Sequence, residues 1–184
     1  MNFGRSETYE WIKAVLIALL LAVLIRYFLF APIVVEGESM VPTLHHSDRM
    51  IVNKIGYTIG EPERFDIIVF HASEESDYIK RVIGLPGDTI EFINDTLYIN
   101  GEIYEEPYLD ELKEEINDGS TLTYDFTLEE VTNSVVVPEG YLFVMGDNRR
   151  RSLDSRDIGF IPYDEVVGEA NFVFWPFSDI RIAK

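Results

Sequence analysis

The 184-residue chain contains no cysteine. That removes disulfides and thiolate metal sites together and weighs weakly against a small disulfide-built extracellular module. Basic residues are scarce: 15 lysines and arginines stand against 33 aspartates and glutamates, a formal net charge of -18. Nucleic-acid recognition needs clustered cations, which are missing, so no nucleic-acid partner is expected. An acidic surface also repels anionic lipid at low salt; its plain reading is solubility in a salty or alkaline exterior. Histidine is limited to His45, His46 and His71, none of them in a triad context. A Gly-x-Ser-x-Gly elbow and a Ser-x-x-Lys pair are both missing, as are internal repeats and low-complexity tracts.

One apolar run stands out. Residues 14–25 are apolar without a break; Arg26 interrupts, and Tyr27 to Ala31 continue. Positions 12–31 span about 30 Å as a helix, the thickness of a bilayer core. Lys13 can snorkel at one end, Arg26 is costly unless it reaches the far headgroups, and Trp11 and Tyr27 are candidate interface anchors. Pro32 is expected to end the helix. A cleavable leader and a buried core helix compete with this reading, but no small-x-small site follows Phe30, and such a rod would not fit inside a small β domain. The expectation is a short cytoplasmic segment over 1–11, a membrane anchor over 12–31 with the N-terminus inside, and an extracytoplasmic domain over 32–184.

Beyond Pro32 the pattern predicts mainly antiparallel β structure, partly barrel-like. Arg49–Lys54, Phe65–Phe70, Tyr78–Leu85, Thr89–Ile93 and Thr96–Ile99 read as strands, with Asn94-Asp95 as a two-residue hairpin turn. Val135–Val137, Tyr141–Met145 and Phe172–Trp175 read likewise. Leu109, Leu112 and Ile116 suggest a short helix capped by Gly119. Residues 94–133 are more acidic and read as a looser inserted β-rich subdomain.

Chemistry is suggested by three clusters. Ser39 lies just past the apolar run, but a serine needs a base. Lysine is protonated at its ordinary pKa near 10.4; burial among apolar groups lowers it. Alternation places Lys80, Val82 and Gly84 on one face of an apolar strand, although an exposed lysine beside Arg81 fits the pattern too. In the third cluster, Gly146 to Arg156, Asp154 and Arg156 can pair and Ser152 can bond a neutral amine; a polar turn with surface ion pairs is the alternative.

Together, Gly37-Glu38-Ser39-Met40-Val41-Pro42-Thr43-Leu44, Phe65 to Phe70, Lys80 to Asp88, and Gly146-Asp147-Asn148-Arg149 with Ser152-x-Asp154-Ser155-Arg156 resemble bacterial type I signal peptidases of the small single-anchor Gram-positive form. The resemblance implies a membrane-bound serine endopeptidase that cuts secretory preproteins after small-x-small sites. It casts Ser39 as nucleophile, Lys80 as general base and Ser152 as the group orienting the lysine. Asp147, Asp154, Arg156 and Arg81 become supporting residues, and Ile33, Val35, Met40, Leu44 and Ile79 pocket candidates. It implies no metal or organic cofactor and two partners, the preprotein and the lipid bilayer. Where some relatives carry an oxyanion-stabilising serine this chain has Gly37, which leaves backbone N–H groups, those of Ser39 and Gly37, to serve. Arg150 and Arg151 also replace the Asn or Asp common in the family. A non-catalytic membrane-anchored module and a self-cleaving Ser/Lys regulator compete; the latter needs a DNA-binding domain for which the anchor leaves no room.

Overall fold

The computed structural model describes residues 4–28, 30–54, 57, 60–117 and 119–183. Helix α1 (Gly4–Phe28) starts earlier than expected and stops sooner. Ala31 and Pro32, expected inside and just past the anchor, belong instead to strand β1 (Phe30–Val34), paired with β2 (Arg49–Asn53). Proline lacks an N–H, and β1 tolerates it because it is an edge strand. The α1 side chains from Glu7 to Val23 are all exposed, Trp11, Leu16 and Leu20 among them. The side chains at 24–30, where the expected anchor continues through Arg26 and Tyr27, lie outside the described residues. Among the described residues no helix is long and apolar enough to cross a membrane.

The remaining strands are β3 (Ile67–Ser73), β4 (Ser76–Gly84), β5 (Ile90–Ile93), β6 (Thr96–Ile99), β7 (Glu102–Tyr104), β8 (Phe126–Thr127), β9 (Tyr141–Met145), β10 (Ile161–Pro162), β11 (Val166–Trp175) and β12 (Arg181–Ile182). They form two antiparallel sheets. The larger runs β1-β2-β11-β3-β4-β9-β10, with β12 on β11; the smaller runs β7-β6-β5-β8. Both are open, so the expected barrel-like closure is replaced by curvature. Register shifts within β11 against β2 and β3, and between β4 and β9, supply bends.

The hairpin turn at Asn94-Asp95 forms with both residues at positive φ, the conformation such two-residue turns favour. Val135–Val137 is not a strand; Val137 instead buries its side chain against the small sheet. Around Leu109 a 3-10 turn (Pro107–Leu109) leads into α2 (Asp110–Glu115), which ends at Ile116, short of Gly119. The small sheet shares one apolar cluster with Ile83, Phe143 and Met145 of β4 and β9. Two short helices complete the chain: α3 (Leu128–Thr132), opened by a Thr127/Glu130 capping box, and α4 (Ser155–Ile158), capped by Asp154.

Candidate active site

Three segments converge at one end of the larger sheet: the loop between β1 and β2, strand β4, and the turn between β9 and α4. Main-chain bonds Val35 N to Asp48 O and Ser47 N to Val35 O close the first loop. Asp48 accepts from the His45 N–H and from Arg181, which also donates to Thr43 O. Ser39 sits at the loop's tip, half-buried, with its carbonyl accepting from the Asn148 N–H at 3.0 Å. Asn148 Nδ2 donates to Glu38 O, so the loop and the β9–α4 turn are joined twice.

Lys80 is 4% exposed. Its Nζ donates to Ser39 Oγ at 2.8 Å and to Ile79 O at 3.0 Å. Burial lowers its pKa from 10.5 to about 8, with the fields of Asp154 and Asp147 opposing the drop only in part. About a tenth of the amine is then neutral at pH 7, against well under a thousandth for an ordinary lysine, and that fraction can accept the hydroxyl proton across the contact.

Next to it, Arg81 Nε and Nη2 grip both oxygens of Asp147 at 2.8 and 2.7 Å, and Nη1 reaches Phe65 O. Thr43 donates to Asp147 Oδ2 at 2.5 Å. One buried ion pair thus joins the Ser39 loop, β4 and the β9–α4 turn. Asp154 and Arg156 form a second pair with two contacts of 2.8 Å; Asp154 also accepts from the Gly146 N–H, and Arg156 reaches Arg149 O. Arg149 is buried against Glu106 at 2.5 Å and ties the turn to the segment ahead of α2.

Some predicted residues stand differently. The Ser152 hydroxyl is buried without a hydrogen-bond partner among the described residues, so the expected bond to the lysine amine is not formed. It lies against Gly146, where an added Cβ would overlap both Ser152 Oγ and Ser39 O. The Gly37 N–H, expected as an oxyanion donor, is directed to His46 Nδ1 at 3.3 Å. Leu44 is fully buried in the core and does not border the groove. Thr43, Asn148 and Gly146 fell within the quoted motifs but were not singled out, and their close approaches are visible only in three dimensions. Asp48 and Arg181 carried no sequence signal, being 133 residues apart.

A groove of about 640 Å³ opens at Ser39 and Lys80. Ile33 and Val35 line one wall, Asp77 to Lys80 the other, and Val69 and Met40 lie between. β1 and β4 have three strands between them in the pairing order, so the sheet curls to bring them together. All intervening pairs are antiparallel, which makes β1 and β4 run the same way. β1 pairs only with β2, and the pairing of β4 with β9 begins at Arg81, so both groove edges keep unpaired backbone among the described residues.

A buried amine on a hydroxyl at the end of an open strand-lined groove has the form of a peptide hydrolase. Residues 8–175 match the family described as signal peptidase, peptidase S26. The chain belongs to that family, and it is accordingly an enzyme, a hydrolase that removes signal peptides. It is 51% identical to a signal peptidase I of Bacillus caldolyticus over 95% of this chain and 93% of the relative. It is 43% identical to signal peptidase IB of Staphylococcus aureus over 96% and 94%. A crystal structure of a signal peptidase I from Enterococcus faecalis aligns with TM-score 0.56 at 50% identity, covering 59% of this chain and 95% of that one.

Proposed function

We propose that the chain cuts secretory preproteins after small-x-small sites by a serine/lysine mechanism at the outer face of a membrane. The observation that carries this reading is the 2.8 Å contact between Lys80 Nζ and Ser39 Oγ, made by an amine that burial brings toward neutrality.

The neutral amine takes the Ser39 proton as Oγ attacks the scissile carbonyl carbon. The Ser39 N–H has no partner among the described residues and is the backbone donor for the developing oxyanion. Collapse of the tetrahedral intermediate breaks the C–N bond, and Lys80 gives its proton to the leaving amine. Water then attacks the acyl-enzyme as Lys80 takes its proton; the C–Oγ bond breaks, Lys80 returns the proton to Ser39 Oγ, and the signal peptide leaves with a new carboxylate. Ser152 orients the lysine: an unpaired buried hydroxyl costs about 1–3 kcal/mol, and the amine relieves that cost when it turns from Ser39 during the cycle.

The preprotein adds as a strand between the two unpaired groove edges. Val35 and Ile79 on the walls and Met40 between them bound shallow pockets that accept small side chains and clash with large ones. Ile33 contributes at the far end, whereas Leu44 acts from behind as packing. The anchor, shortened to the part of α1 from residue 12 to Phe28 and with the N-terminus cytoplasmic, holds the groove at the lipid boundary where the precursor's apolar segment lies. Apolar side chains exposed all around α1 support this, since such a helix needs an apolar environment.

Cleavage of an Ala-x-Ala precursor in detergent by the parent chain, Ser39→Ala and Lys80→Ala tests the assignment. Both variants are expected to be inactive while keeping their circular dichroism; cleavage retained by either sinks it.

A further inference from the structure

The groove carries a charge pattern that the cleavage chemistry does not use. Glu36, Glu38 and Asp77 line it, and apart from Lys80 its one cation among the described residues is Arg151. The Arg151 side chain is 74% exposed and pairs with Glu38, itself 64% exposed, at 3.3 Å. Its neighbours are committed elsewhere, Arg149 to Glu106 and Arg150 to Ser120 Oγ and Thr121 O. A guanidinium offers five donors in a planar fork, so one long contact leaves most of them unused. A pair this exposed contributes little, and its carboxylate is readily exchanged for another.

Backbone alternation says which substrate position would reach it. A segment lying as a strand between β1 and Asp77–Lys80 points alternate side chains into the floor and the others outward. With the small −1 and −3 side chains directed to the floor, the −2 side chain faces out beside Ser39, toward the lip where Glu38 and Arg151 stand. We propose that Arg151 is a specificity-determining residue that reads the −2 side chain of the preprotein, favouring a carboxylate and disfavouring a cation. Glu38 competes for the same guanidinium and sets the strength of the preference. The inference rests on the cleavage reading above.

The test is a precursor series differing only at −2 (Glu, Gln or Lys), with kcat/KM measured at low and high salt. Glu is expected to be cut about fivefold faster than Lys. Arg151→Ala should bring that ratio to one or below, Arg151→Glu should invert it, Glu38→Gln should raise it, and salt should compress it. Scoring each enzyme by its own ratio cancels any change in overall activity or folded fraction. A Glu-to-Lys ratio of one in the parent, or one that Arg151→Ala leaves unchanged, overturns the inference even with every precursor cut. A parent chain that cuts none of the series overturns the cleavage reading and this inference with it.

Discussion

The two faces of β4 treat a buried cation in opposite ways. Lys80 and Arg81 are neighbours, 4% and 1% exposed. Arg81 meets a carboxylate on two prongs, with a carbonyl on its third nitrogen. Lys80 meets a hydroxyl and a carbonyl; Asp147 and Asp154 act on it only through space. Desolvation penalises a buried charge, and a carboxylate in contact offsets that penalty far better than one acting through space. One face therefore keeps a fixed charge that staples three segments, while the other holds an amine that can lose its proton. The residue types suit those states: guanidinium is always charged and geometrically rigid, while an ammonium shifts its pKa readily.

Erasing the distinction gives the largest effect. Lys80→Arg puts a group that cannot deprotonate on the Ser39 side, and cleavage should fall by at least about a thousandfold at every pH, as expected for loss of the general base. Activity recovering at alkaline pH would contradict the assignment. On the opposite face, Asp147→Ala leaves Arg81 buried without its carboxylate, and should cost about 3–5 kcal/mol in a denaturant melt. A cost below about 1 kcal/mol would mean that the Arg81 clamp does not hold the three segments together.

Lys80→Met runs the other way. An amine whose pKa falls from 10.5 to about 8 on folding costs the native state about 3 kcal/mol at neutral pH. Between those values the unfolded chain binds more protons, so native stability rises with pH through that window; the penalty is full below 8 and gone above 10.5. Lys80→Met should therefore be inactive yet more stable than the parent by about 3 kcal/mol at pH 7, with the gain vanishing in strong alkali. Melts of both chains at neutral and alkaline pH check this. An equally large gain at both pH values would trace it to packing rather than to charge.

The strands were legible because alternation and turn chemistry are local: Asn94-Asp95 announces its hairpin, and the runs around β2 to β6 fall within a few residues of their observed bounds. The start of β1 was not, because Phe30 to Val34 continues an apolar run and only pairing with β2 distinguishes strand from helix there. Val135–Val137 has strand propensity but no strand partner. At the site, the pattern around Lys80 allowed a buried or an exposed lysine, and only the resemblance joined it to Ser39, because no local spacing links residues 41 apart. The staple of Asp48 on Arg181 was not, because no pattern joins two ends of a chain. Arg150 looked unexplained in sequence and takes its role from a contact 29 residues away, on Thr121 O.

The finest test of the contrast lies in the pH profile. With Ser39 untitrated, kcat/KM should follow the neutral fraction of Lys80, rising about tenfold from pH 6 to 7 and levelling above a midpoint near 8. A profile flat down to pH 5 would exclude the lysine as base. Asp154 raises the Lys80 pKa from outside contact range, so Asp154→Asn should move the midpoint downward, even though it also weakens the pair with Arg156. Loss of the pair alone lowers the height of the curve, through fewer folded molecules, and leaves its midpoint in place. A displaced midpoint therefore reports the field at the amine, whereas a lowered plateau with the midpoint unmoved would place Asp154 in the scaffold only.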